Sequence, residues 1–547
     1  MANTNSYKAD VVIIGAGLAG LAAVAELLNQ NKKILLIDRD TEDNLGGLAK
    51  HSFGGVCVID TPYQRKAGIK DSPELTKADW LRYGEVPETD TWPRRWIDFY
   101  TGDSNRLIFR WLDSLGVKFL PVVNWPERGM FIRGNSVPRW HIAWGTGYGI
   151  VNQVLNHIFS HKNIANLTIK YGHKVEELLR SNDGIGCRGK IEQGQPNFGS
   201  EFSAIGDSCI IAAGGICGGD LSYLRKTWPN APKRIVNGAH RYGDGTLHEA
   251  AKKFGANVTH LEKHWHYAAG ISTKVPIVAN LETSKVPPGL SLVPPRSALW
   301  VNAYGDRIGP FPNVGYTDTK YLVDNILKEP GSFSYQIMNF KIAKKELAVS
   351  GSEHMIAFRN KSKFGLIKGL LLGNKDLLHR LEKESNDIVI ANSFDQLVTK
   401  INTIETEFKM DAQKLKSAIE SFDAEIELGE KYIGDEQLRR LLNHRMYRGD
   451  RLRMSWMQKI NDKNAYPLVA FREFILSRKS LGGIQTDLQC RVLDKKGEPI
   501  PGLYAAGEAA GFGGGGIHGI RSLEGTFLGG CIITGRVAGN TAGGKQI

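Results

Sequence analysis

At 547 residues the chain exceeds a single domain, and typical domain sizes suggest roughly two to four. Its 41% hydrophobic and 23% charged content is ordinary for a soluble globular protein, and it lacks the run of about 18 apolar residues that a membrane span needs. The net charge of +13 suits an anionic ligand; the basic clusters Lys341–Lys345 and Lys361–Lys363 carry no interleaved aromatics and no nucleic-acid module, and six scattered cysteines without CxxC spacing argue against a disulfide or metal framework. A cytoplasmic protein is the expectation.

Val11 to Ile14 is a β-branched run of the kind buried on both faces of a parallel sheet. Gly15-Ala16-Gly17-Leu18-Ala19-Gly20 follows at once, then an uncharged Ala/Leu-rich helix, the apolar strand Ile34 to Ile37, and Asp38-Arg39. Gly15 allows the tight turn, Gly17 lets backbone approach a pyrophosphate, and Gly20 lets helix pack on strand. The helix N-terminus offers free N–H groups to phosphate, and Asp38 suits the hydroxyls of an adenosine ribose. The unit predicts a dinucleotide site that includes Leu18 and Ala19 at the helix start and Arg39 beside the acid.

Asn44 to Gly55, NLGGLAKHSFGG, places two Gly-Gly pairs (Gly46-Gly47 and Gly54-Gly55) around a short polar segment with Ser52. This stretch resembles the segment that follows the dinucleotide fold in the fumarate reductase/succinate dehydrogenase flavoprotein superfamily, which includes the 3-ketosteroid dehydrogenases. The resemblance implies that it runs beside the pyrophosphate and isoalloxazine of FAD. Where membrane-complex members carry a flavin-linking histidine this chain has Leu48, with His51 three residues later. The resemblance therefore implies FAD bound without a covalent link.

Asp79 to Leu115 reads as helical, with Trp96, Phe99, Leu107, Trp111 and Leu112 on one buried face. In Pro138 to Gly147 the one imidazole, His141, is equally consistent with a cavity wall and with a structural role. Leu167 to Leu178 reads as two strands, and by resemblance Val175 presents backbone to the adenine. Ser208 to Asp220 is an apolar strand entering Ala213-Gly214-Gly215, similar to the superfamily's second pyrophosphate turn. Gly243-Asp244-Gly245 resembles its GDG motif, with capping of the next helix as the main role for Asp244.

From His264 the glycine-rich phosphate turns stop. Ser297 to Ile308, SALWVNAYGDRI, resembles a strand-turn of the superfamily's capping domain, and 361–445 reads as one long helical region. The expected fold is α/β, a Rossmann-like FAD-binding domain with a parallel sheet and an inserted α+β capping domain. The boundaries are 1–263 and 465–547 for the FAD-binding parts and 264–464 for the cap. After Arg307, Tyr316, Asp318 and Lys320 are the nearest proton-transfer candidates in the cap.

Near the C-terminus, KSLGGIQTD (479–487) and PIPGLYAAGE (499–508) are the most specific matches. In the second, Glu508 is implied to hold the ribityl hydroxyls, a role suited to a multiple acceptor. Gly525-Thr526-Phe527-Leu528 opens a small-residue helix whose N–H groups, the resemblance implies, would face the flavin N1 and C2 carbonyl. Where fumarate reductases read H-G-x-N-R-L-G-G this chain reads His518-Gly-Ile-Arg521-Ser522-Leu-Glu-Gly525. Their carboxylate-binding Arg position is Ser522, and their substrate-binding His position is Lys479. The sequence thus predicts FAD-dependent hydride exchange between flavin N5 and a carbon beside a carbonyl or carboxylate. His518, Arg521 and Lys479 are the candidate catalytic groups, and no metal is called for. A small-molecule substrate and a separate electron acceptor are the implied partners. A 3-ketosteroid dehydrogenase, a fumarate reductase-like enoate reductase and a non-catalytic electron-transfer flavoprotein stand as alternatives.

Overall fold

The structure is a computed structural model that describes residues 5–274, 286–309 and 314–546. Val11–Ile14 lies at the centre of a six-stranded sheet, with Ile34–Ile37 and Leu167–Lys170 on one side. On its other side lie Ser208–Ile211, Pro499–Ala505 and Arg491–Leu493. The first five are mutually parallel and only the Arg491–Leu493 edge runs antiparallel. Both Val11–Ile14 and Ile34–Ile37 are buried along their whole length, which is why each reads as an unbroken apolar run. A four-stranded sheet, Asn5–Lys8, Glu201–Gly206, Gly184–Ile191 and His173–Ser181, packs beside it.

The helix Leu18–Asn29 is buried on all sides, and its neighbour is the last helix of the chain, Thr526–Ala542. Gly535 and Gly539 make that closeness possible. A Cβ at Gly535 would stand 2.2 Å from the carbonyl oxygen of Ala19, and one at Gly539 would stand 2.5 Å from that of Ala23. Arg536 adds an ion pair to Glu26 at 2.5 Å.

The segment from His264 onward builds a third, larger sheet. Its order is Leu299–Val301, Phe333–Asn339, Leu468–Ser480, His264–Ser272, Gly289–Val293 and Ala348–Val349. Ile235–Asn237 and Ile388–Ala391 also pair with Leu468–Ser480. That 13-residue strand is the spine of the sheet and delivers Lys479 to the region of the six-stranded sheet. The long helical reading of 361–445 needs one correction. The helices Lys363–Leu372, Lys375–Glu384, Phe394–Ile404, Ala412–Glu427 and Glu436–Met446 are interrupted by the strand Ile388–Ala391. Its short β-branched run IVIA is captured by the sheet edge, a tertiary partner that local helical periodicity does not report.

Candidate active site

Two cavities that share Leu48, Ala49, Glu508 and Cys531 run end to end between the six-stranded sheet and the larger sheet. The first is a cradle of backbone. Gly15, Gly17, Leu18, Ala19, Asp38, Arg39, Gly46 and Gly47 line it from the N-terminal motif. Val175, Ala213, Gly214, Gly215 and Asp244 line it from later segments. A Cβ placed on Gly17 or Gly214 would meet nothing within 4 Å, so both open directly on the space. Gly20 is different: its Cβ would fall 2.0 Å from the Gly15 carbonyl, so it serves helix-strand packing rather than lining. The helix beginning at Leu18 has no side-chain cap at Gly17, which leaves its first N–H groups for an anionic ligand.

Asp38 lies at the end of its strand, where its two carboxylate oxygens accept from Ala16 N at 2.5 Å and Asp40 N at 2.6 Å. Burial raises its pKa against these bonds. Arg39 is clamped by Glu192 at 2.8 Å and Asp244 at 3.0 Å and stacks on Tyr242. The other Asp244 oxygen accepts from Thr246 N at 3.0 Å at the start of the Thr246–Lys253 helix. Glu508 stands where the two cavities join. One of its oxygens accepts from Ser480 N at 3.0 Å, and the other makes no protein hydrogen bond among the described residues. Burial raises its pKa, opposed by the Ser480 N–H and by Lys479 and Arg478.

The second cavity takes Ser52, Gly54, Gly55, Gly525 and Leu528 along one wall. The helix Thr526–Ala542 starts at Gly525 with φ +93° and no side-chain cap; Thr526 N donates to the Leu523 carbonyl at 3.2 Å, which leaves the N–H groups of Phe527 and Leu528 as those available to a ligand. Ser522 and Thr526 stand behind this wall. Their hydroxyls meet at 2.9 Å and Thr526 Oγ1 donates to the Leu523 carbonyl at 2.5 Å, fixing the turn that precedes the helix. Leu48 lines both cavities, while His51 is turned onto Glu353 at 2.7 Å.

Of the three basic residues, Lys479 lines the cavity. Its Nζ donates to Tyr267 Oη at 2.9 Å and lies 3.8 Å from the Phe527 ring centroid. Burial pulls its pKa down to about 8. Tyr267 Oη in turn donates to Glu524, 3.2 Å from one oxygen and 3.4 Å from the other. The Tyr316 ring stands 6.2 Å from that of Tyr267, and burial raises the pKa of both phenols.

His518 and Arg521 are placed elsewhere. His518 is fully buried, stacked parallel to Trp80 at 5.4 Å and edge-on to Phe527 at 5.0 Å. Burial pushes its pKa down to about 3, so it is neutral at ordinary pH. Arg521 forms an ion pair with Glu85 and lies 3.8 Å from Asp318. Neither lines the cavity. Of the three cap candidates only Tyr316 does; Asp318 caps the Thr319–Ile326 helix and Lys320 pairs with Asp324 at 2.9 Å. His141 is structural, held between Thr61 at 2.7 Å and the Arg139 carbonyl at 2.8 Å, with a pKa pushed down to about 4.

Tyr267 and Glu524 are the residues that sequence reasoning missed. Glu524 carried a signal: it occupies a glycine position of the H-G-x-N-R-L-G-G pattern, so the substitution adds a carboxylate beside the helix start. Tyr267 had none, being one aromatic within the strand His264–Ser272. Phe53, Trp125, Trp140, Val293, Pro294 and Met454 make much of the remaining wall apolar, and Arg296, Arg453, Arg478, Glu346 and Asp450 add charged groups to it.

A glycine-built dinucleotide cradle that opens on a mostly apolar cavity carrying a Lys-Tyr-Glu cluster defines a flavin-dependent oxidoreductase. The family model described as FAD binding domain matches residues 10–528. The chain belongs to that family, within the flavoprotein superfamily that holds fumarate reductases and 3-ketosteroid dehydrogenases. It is 37% identical over 572 aligned residues to a KsdD-like steroid dehydrogenase of Mycobacterium tuberculosis, covering 99% of this chain and 96% of the relative. It is 36% identical to a KsdD-like steroid dehydrogenase of Mycolicibacterium smegmatis, covering 95% and 96%. The open conformation of a flavocytochrome c3 fumarate reductase shares the fold at a TM-score of 0.69 and 20% identity, over 98% of this chain and 78% of that one. The 3-ketosteroid-Δ4-(5α)-dehydrogenase of Rhodococcus jostii RHA1 does so at 0.64 and 19%, over 99% and 98%. The protein is an FAD-dependent oxidoreductase acting on CH–CH groups. The open glycine cradle, the two uncapped helix starts and the free Glu508 oxygen fit its cofactor. Among the described residues no helix is long and apolar enough to cross a membrane, and no cluster of residues is arranged to hold a metal ion.

Proposed function

We propose that the protein dehydrogenates, or in reverse hydrogenates, the carbon-carbon bond beside the carbonyl of a steroid-sized ketone. In this reading 1–263 and 465–547 form a Rossmann-like FAD-binding domain, 264–464 caps it, and the enzyme works in the cytoplasm. Bound FAD supplies the two-electron hydride exchange at N5. The protein's part is polarisation, proton transfer and exclusion of water. Lys479 directs an N–H group at the ketone oxygen, which acidifies the adjacent C–H bond, while Tyr267 accepts from Lys479 and donates to Glu524, holding the two in register. The Glu524 carboxylate accepts that proton while the neighbouring carbon gives up hydride, for which bound FAD would be the acceptor and a separate oxidant the final electron sink. His518 and Arg521 act as positioning residues: His518 backs the Phe527 ring that flanks Lys479, and Arg521 fixes the turn before the last helix.

The observation that carries this reading is the Lys479–Tyr267–Glu524 chain set in an apolar-walled cavity that adjoins the cradle. The resemblance to KsdD-like steroid dehydrogenases over nearly the whole chain supports the ketone class. The test is anaerobic titration of the FAD-loaded protein with 3-ketosteroids, simple enones, saturated ketones and succinate, following the flavin band near 450 nm. Bleaching by a 3-ketosteroid supports the reading. A cofactor that dithionite reduces but no ketone bleaches overturns it, and reoxidation of the dithionite-reduced protein by fumarate alone favours the enoate reductase instead.

A further inference from the structure

Outside the site, one surface combines exposed apolar side chains with positive charge and no acid in its own stretch of sequence. The short helix Ile356–Arg359 and the helix Lys363–Leu372 expose Ile356 (54%), Phe364 (80%), Ile367 (55%) and Leu372 (64%). Large apolar side chains gathered this densely on a surface mark a site of contact. Across residues 354–375 the sequence carries Arg359, Lys361, Lys363, Lys368 and Lys375 and no acidic residue at all. The nearest flanking acids are Glu353, paired with His51 at 2.7 Å, and Asp376 on the next helix. Arg359 lies over the Tyr148 ring at 4.2 Å.

The patch is also joined to the cavity. Phe358 packs 6.1 Å from Phe53 and 6.0 Å from Trp144, and Phe53 stacks on Trp140 at 5.7 Å. Phe53 and Trp140 are cavity wall. Three aromatic rings therefore connect the exposed helices to the substrate space.

We propose that this helix pair docks on the surface of an anionic lipid bilayer, with Phe364, Ile367 and Leu372 entering the headgroup-acyl boundary and the surrounding cations facing lipid phosphates. The helix Lys363–Leu372 is apolar round much of its circumference rather than two-faced, so its contact rests on the exposed Phe364, Ile367 and Leu372, with the long Lys363 and Lys368 side chains reaching past them to the phosphates; ten helical residues, about 15 Å, are too few to span. A second copy of the chain is the poorer occupant. Pairing two such patches brings ten cations together with no acid between them, whereas an anionic bilayer supplies both the apolar layer and the counter-charge. Nucleic acid would match the charge and leave Phe364, Ile367 and Leu372 in water. The docking would set the cavity against the phase in which an apolar substrate dissolves.

The test uses the FAD-loaded protein in co-sedimentation with vesicles of one part phosphatidylglycerol to three parts phosphatidylcholine, against pure phosphatidylcholine. Expected is pelleting with the anionic vesicles alone, weakened by salt and by about tenfold in the double variant Phe364→Glu/Ile367→Glu. Flavin absorbance and melting temperature should be unchanged in that variant, since neither residue lines the cavity. Equal pelleting of variant and native protein, or none of either, overturns the proposal. So does light scattering that shows a native dimer and a monomeric variant, which would assign the patch to a second copy. Because the readout is lipid binding, its failure leaves the substrate reading untouched, and the converse also holds.

Discussion

Lys479 concentrates the chemistry that single residues can test. Its pKa of about 8 means that it carries its proton below that value and loses it above. If its ammonium polarises the substrate, kcat/KM should fall as pH rises through about 8, and Lys479→Met should abolish that limb along with most of the activity. The stability sign runs the other way. The unfolded lysine titrates higher, near 10.4, so between the two values the unfolded chain binds more protons and the folded state gains stability with rising pH. Melting of the cofactor-free protein across this window checks it. Glu524→Gln keeps size and polarity but removes the proton acceptor; reduction by substrate should slow by at least about 10²-fold with FAD binding intact, read by stopped-flow absorbance. Gly17→Ala and Gly20→Ala should part company. The first adds a methyl to open cavity at φ −68° and should weaken FAD binding without lowering the melting temperature of the cofactor-free protein. The second drives a methyl against the Gly15 carbonyl and should cost about 1–3 kcal/mol of stability.

At the scale of elements, what was legible in the sequence followed from what is local. The strand, turn, helix and acid from Val11 to Asp38 could be read because backbone approach demands glycine at fixed spacing, whatever the rest of the fold does. The turns at Gly46-Gly47, Gly214-Gly215 and Gly525 were readable through their resemblance to the superfamily's glycine turns. The substrate end was not. Lys479, Tyr267 and Glu524 meet from the strands Leu468–Ser480 and His264–Ser272 and from the turn before the last helix, and no spacing rule links them. His518 and Arg521 were candidates because they fall in the stretch that resembles the fumarate reductase pattern H-G-x-N-R-L-G-G. Their partners Trp80 and Glu85, in and just after the helix Pro73–Gly84, lie more than 400 positions away in sequence, and only folding reveals the claim. The contact between the first and last helices predicts a sharp element-level effect. Gly535→Ala places a methyl 2.2 Å from the Ala19 carbonyl and should lower the melting temperature, costing about 1–3 kcal/mol, with Gly539→Ala a milder case.

For the whole molecule, the spine strand Leu468–Ser480 makes the large sheet and the cofactor cradle one mechanical unit. It pairs with Phe333–Asn339 along one end and carries Lys479 and the Ser480 N–H bound to Glu508 at the other. A shift of that sheet therefore moves Lys479 relative to the cradle. The embrace of the helix Leu18–Asn29 by Thr526–Ala542 has a temporal meaning as well. Synthesis runs from the first of these helices to the second, so the first glycine motif emerges long before the helix that covers it. Until that helix arrives the nascent protein holds half a cradle, with the alanine face of Leu18–Asn29 uncovered. A variant truncated after residue 520 should fail to retain FAD even though every residue of its first dinucleotide motif is present, because it lacks the covering helix.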